Sequence, residues 1–171
     1  VMPQLPAGKI GFRRGLYMAS TDELYVTVKG KGGHGAMPHL CIDPVAITAQ
    51  LLVALQQVVS RFAKPSVPSV LTFGKVIANG ATNVIPDQVY LEGTFRTLNE
   101  EWRAEAHTRM KKLAMELAAS MGGSCDFEIR KGYPFLVNDE PLTDRARSWA
   151  EAYVGAENVE DLEIWMAAED F

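Results

Sequence analysis

A chain of 171 residues with 47% hydrophobic and 22% charged side chains carries enough apolar material for one ordinary domain, which excludes disorder as its main state. Its net charge of −4 argues against an electrostatic grip on nucleic acid or an anionic membrane, and the longest apolar run, Leu51–Leu55, is far too short to cross a bilayer. Two cysteines, Cys41 and Cys125, cannot build a disulfide framework; with no basic leader and apolar stretch at the start, they imply reduced thiols and a cytoplasmic setting.

Residues 1–19 mix Pro3, Pro6, Gly8, Gly11 and Gly15 with short apolar pieces, the pattern of loop plus one short strand near Ile10. From Asp22 the chain alternates, with Leu24, Val26 and Val28 facing one way and Tyr25, Thr27 and Lys29 the other: a half-buried strand. The run Gly30-Lys31-Gly32-Gly33-His34-Gly35 is too glycine-rich for the interior of a regular element. Asp43 and Pro44 supply an N-cap and first position for a helix whose apolar face is Ile47, Leu51, Leu55, Val58 and Phe62, ended by Pro65 and Pro68. Strands follow at 69–78 and 88–98, then a helix from Glu100 to Ala119 with a buried stripe of Trp102, Ala106, Met110, Leu113 and Leu117. Cys125–Arg130 alternates as a fourth strand.

Residues 22–131 therefore read β-α-β-β-α-β, an α+β fold of the ferredoxin-like type: one four-stranded antiparallel sheet with both helices on one face. The tail gives a helix over Pro141–Tyr153, with Leu142, Ala146, Trp149 and Tyr153 on one side, and a short strand near Leu162–Trp165. Neither the head nor the tail can bury much alone, so the layout is that of a domain inserted into another. The division expected is 1–19 and 133–171 as stumps of that second domain around a unit at 20–132.

The densest polar constellation is Gly32-Gly33-His34-Gly35-Ala36-Met37-Pro38-His39, where glycines expose His34 on a loop after a strand; oxyanion donor, proton shuttle and solvated side chain all remain open. The constellation lacks the spacing of a phosphate loop, a zinc helix or a nucleophile elbow. Arg96 should point from the open face of the sheet, where a guanidinium can clamp a carboxylate or pair with Glu92. Asn83 can donate to a substrate oxygen or close a turn, and His107 belongs to the solvated side of its helix. An RNA-binding unit of the same topology is disfavoured by charge and by the lack of paired aromatics on the central strands.

Together, Leu5-Pro6-Ala7-Gly8-Lys9-Ile10-Gly11, Gly32 to His39 with Asp43-Pro44, Thr82-Asn83-Val84-Ile85-Pro86-Asp87, Gly93-Thr94-Phe95-Arg96-Thr97 and Ala168-Glu169-Asp170-Phe171 resemble the metal-dependent aminoacylase and carboxypeptidase amidohydrolases, in the branch of hippurate hydrolase, N-acetyldiaminopimelate deacetylase and auxin-conjugate hydrolases. The resemblance implies a lid and dimerisation domain inserted in an α/β zinc-peptidase-like catalytic domain, acting as a homodimer on small N-acyl amino acids. It implies that His34 reaches the partner subunit's active site and polarises the scissile carbonyl, that Asn83 and Arg96 bind substrate, and that Glu169 neighbours the active site. The two divalent ions implied, zinc, manganese or similar, need ligands from segments this chain does not hold. The chain alone is therefore expected to bind no metal pair and to lack amidase activity; the rival expectation is a non-enzymatic ferredoxin-like dimerisation module.

Overall fold

The computed structural model describes residues 5–168. In chain order the elements are β1 (Ile10–Phe12), β2 (Gly15–Met18), β3 (Asp22–Lys29), β4 (Gly33–His34), α1 (Pro44–Gln57), β5 (Ser69–Ile77), β6 (Val84–Ile85), β7 (Gln88–Thr97), α2 (Glu100–Ser120), β8 (Ser124–Lys131), β9 (Leu136–Asn138), α3 (Glu140–Val154) and β10 (Val159–Asp161).

The centre is a four-stranded antiparallel sheet in the order β5-β7-β3-β8. Alternation decides its faces. Leu24, Val26 and Val28 of β3, Val89, Leu91 and Phe95 of β7 and Phe127 of β8 point to one side, where α1 and α2 cover them with Ile47, Leu51, Leu55, Trp102, Ala106 and Met110. Asp43 starts α1 by accepting from the Val45 and Ala46 amides at 2.8 and 3.2 Å, and Asn99 starts α2 by accepting from Trp102 N–H at 2.8 Å. Gly122, at φ +83°, closes α2 in the left-handed conformation that side-chain-bearing residues avoid.

Several expectations are corrected. The α-helical turns of α1 stop at Gln57 and the chain continues as a π turn, Val58–Phe62; this wider turn leaves Phe62 44% exposed under the Arg109 guanidinium, 4.6 Å from its ring centroid. Along α2, Ala114 and Ala118 occupy the buried line, with Leu113 and Leu117 at its flank, because small residues let the helix approach the sheet. The glycine run does contain regular structure, since Gly33 and His34 pair with Ile85 and Val84. The late strand is Val159–Asp161, parallel to β1, and Trp165 makes only an isolated bridge to Met18. β2, which pairs antiparallel with β9, was not expected. The stretch Pro44–Phe62 is long and apolar enough by composition to cross a membrane, yet Ile47, Leu51, Leu55 and Val58 are buried against the sheet as a core helix requires.

Candidate functional site

The loop bearing His34 is held between two walls. Lys31 and Ile42 exchange both backbone hydrogen bonds on one side (2.8 and 2.9 Å); on the other, Gly30 N–H donates to Asp87 O and Gly32 N–H to the Asp87 carboxylate, each at 2.9 Å. The space leaves no room for side chains: a Cβ on Gly30 would lie 2.1 Å from Ile42 O, and one on Gly33 2.6 Å from Cys41 Sγ. The glycines thus hold a fixed loop. His34 emerges from it exposed, its Nδ1 accepting from Ala36 N–H at 3.1 Å. In the neutral ring this places the proton on Nε2, aimed outward as a donor.

Asn83 lies beside it. Thr82 and Asn83 form the tip of a tight hairpin closed by Ala81 and Val84, and the Asn83 carbonyl accepts from Gly35 N–H at 2.8 Å. Both side chains are exposed. Two hydrogen-bond donors therefore stand together where β3 ends and β7 begins.

Arg96 is elsewhere. It occupies β7 opposite Val70, eight residues beyond Gln88, which at strand rise is about 26 Å along the sheet from the His34 end. It lies on the face turned away from the helices. The pairing with Glu92 is not formed: that carboxylate accepts from Lys75 Nζ at 2.7 Å, which holds it below the usual carboxylate range. Arg130 pairs with Glu128, leaving no carboxylate partner for Arg96 among the described ion pairs. One guanidinium nitrogen, NH1, is buried without a hydrogen-bond partner. An orphaned buried guanidinium N–H is costly, and an anionic acceptor is the chemistry that satisfies it best.

Glu169 lies outside the described residues. Among the described residues no group of three or more His, Cys, Asp or Glu converges on one point. Both cysteines are free; burial, with Asp126 adding to it, pushes the Cys125 thiol up to about 11, so it is inert. His107 is not solvated as expected: its Nε2 lies 2.6 Å from Asp22 Oδ2, beside the buried Arg103. Position on α2 hid both residues, because their partner, Asp22, is 81 and 85 positions away.

The same fold recurs in known proteins. Residues 21–121 match the family described as the M20 peptidase dimerisation domain. The chain belongs to that family. It is 38% identical to N-acetylcysteine deacetylase of Bacillus subtilis over 92% of this chain and 41% of that protein. It is 37% identical to N-acetyldiaminopimelate deacetylase of Geobacillus over its whole length and 45% of the relative. Among solved structures, a protein of methicillin-resistant Staphylococcus aureus classed with the aminohydrolases superposes with a TM-score of 0.84 at 32% identity, over 99% of this chain and 44% of that one. A dinuclear metal-binding peptidase of the M20 family from Bacillus subtilis gives 0.67 at 30%, over 98% and 40%. The chain spans less than half the length of these relatives.

Proposed function

We propose that this chain is the lid and dimerisation portion of a metal-dependent amidohydrolase that cleaves N-acyl amino acids, working as a homodimer. Residues 20–132 form the ferredoxin-like unit, and 1–19 and 133–171 belong to the catalytic domain, with the metal pair held by parts of that domain outside residues 1–171. The exposed apolar line of α3, with Leu142, Trp149 and Tyr153 51%, 67% and 90% exposed, supports this division, since such a face is normally covered.

The observation that carries the reading is the separation of His34 and Asn83 from Arg96. One copy cannot bring both ends of its sheet to one small substrate. A two-fold pairing can. Of the two sheet edges, β8 bristles with Asp126, Glu128, Arg130 and Lys131, whereas β5 carries Lys75 as its one charge and exposes Val76. The adjoining α1 is uncharged from Pro44 through Ser60 and leaves Val45 and Val53 exposed. Pairing β5 with β5 of a second copy antiparallel about a two-fold axis sets the Val70 end of one strand against the Ile77 end of the other. Arg96 of one copy then lies on the side of the partner's His34 and Asn83. In that arrangement Arg96 holds the substrate carboxylate through parallel hydrogen bonds, Asn83 donates to a substrate oxygen, and His34 Nε2–H donates to the carbonyl oxygen as negative charge develops on it.

Sedimentation equilibrium of this chain, combined with a hydrolysis assay on hippurate and N-acetylcysteine in the presence of zinc or manganese, tests the reading. A reversible dimer without turnover is expected. Metal-dependent turnover by this chain, or a monomer at every concentration, contradicts it.

A further inference from the structure

Arg103 is 1% exposed and Asp22 fully buried, yet neither takes part in the proposed chemistry. Their contacts converge on one place, the root where the chain enters and leaves the four-stranded unit. Arg103 Nε and NH2 grip the Asp22 carboxylate at 3.0 and 2.6 Å, and NH1 reaches Glu100 at 2.8 Å. The two hydrogens of NH2 are shared further with two backbone carbonyls, Thr21 O at 3.0 Å and Gly132 O at 3.1 Å. Those carbonyls belong to the two different crossings. Asp22 in turn accepts from His107 and from Gly132 N–H, and Gly132 N–H reaches Thr21 O at 2.9 Å. Next to it, Ser20 and Thr97 exchange two hydrogen bonds, Ser20 N–H to Thr97 O and Thr97 N–H to Ser20 Oγ.

A buried ion pair contributes little stability that apolar residues of the same volume would not supply. What a guanidinium offers instead is a rigid planar fork that can hold several acceptors at fixed directions. Here the acceptors come from both crossings and from α2. The contact between the crossings is also tight, for a Cβ on Gly132 would lie 2.5 Å from Thr21 O.

We propose that Arg103 is a positioning residue: it ties the entering strand at Thr21–Asp22 and the leaving chain at Gly132 into one rigid root, and so fixes the direction in which both flanking segments leave the sheet.

Spin labels at Lys112→Cys on α2 and Arg145→Cys on α3, in a Cys41→Ser background and diluted in excess unlabelled chain so that only pairs within one copy are read, report the separation of the unit and the flanking segments by pulsed electron resonance. Arg103→Lys keeps the cation beside Asp22 but loses the fork. The expected result is one narrow distance distribution in the parent and at least about a twofold broader one in Arg103→Lys, while amide protection in β3 and β7 persists. Gly132→Ala, which removes no charge but wedges the crossings apart, should broaden it likewise. A distribution as narrow as the parent's in both variants overturns the proposal. So does broadening that comes only with loss of β3 and β7 protection, or failure of both variants to fold, since the cluster would then support the sheet itself.

Discussion

Asp22 shows how position in the fold resets the chemistry of a residue. Burial alone raises its pKa, but hydrogen bonds from His107 and Arg103, and their charges, overcome this and hold it down to about 2 against an ordinary 3.8. A folded-state pKa below the unfolded one means that the stabilisation is complete above pH 3.8 and is lost as pH falls from there towards 2. Acid titration of unfolding free energy should therefore show a steep loss in that window, and Asp22→Asn should flatten it; an unchanged acid limb in the variant would contradict the assignment. Arg103→Met should cost about 3–5 kcal/mol in urea unfolding, because it strands a buried carboxylate rather than because the pair is strong. Asp43→Ala, which leaves the Val45 and Ala46 amides without their cap, should cost about 1 kcal/mol by the same measurement.

At the scale of elements, what could be read from the sequence follows from periodicity. Leu24-Val26-Val28 and Val89-Leu91-Phe95 announce their faces by alternation, and Asp43-Pro44 announces a helix start. What could not be read depends on contacts distant in sequence. The two-residue ladder of β4 and β6 exists because Gly33 meets Ile85 across 52 positions, and β2 and β10 have no pattern of their own apart from partners 118 to 149 residues away. Arg103 and His107 sit on α2 as polar residues do on any solvated face, and nothing local reveals the carboxylate waiting beneath them. His34 was visible from its glycines, but the fixed tautomer needs the Ala36 amide in three dimensions. Edge chemistry makes the prediction that belongs here. Val76→Lys, a charge on the open β5 edge, should shift the dimer to monomer in sedimentation without lowering the unfolding midpoint, whereas Asp126→Lys on β8 should leave association unchanged.

For the whole molecule, the sheet acts as a ruler. Along β7, Arg96 lies about 26 Å from the end of the sheet beside the His34–Asn83 pair in one copy, and a β5-to-β5 pairing spans only three strand spacings, about 14 Å, between Arg96 and the partner's matching β7. On the proposed reading the dimer is part of the site and not an accessory to it. Mixing His34→Cys chains with Arg96→Cys chains, each labelled once in a Cys41→Ser background, measures the distance between the two positions across copies. The account predicts an intermolecular distance clearly shorter than the roughly 26 Å within one chain. No intermolecular signal, or a distance well beyond that length, would contradict it.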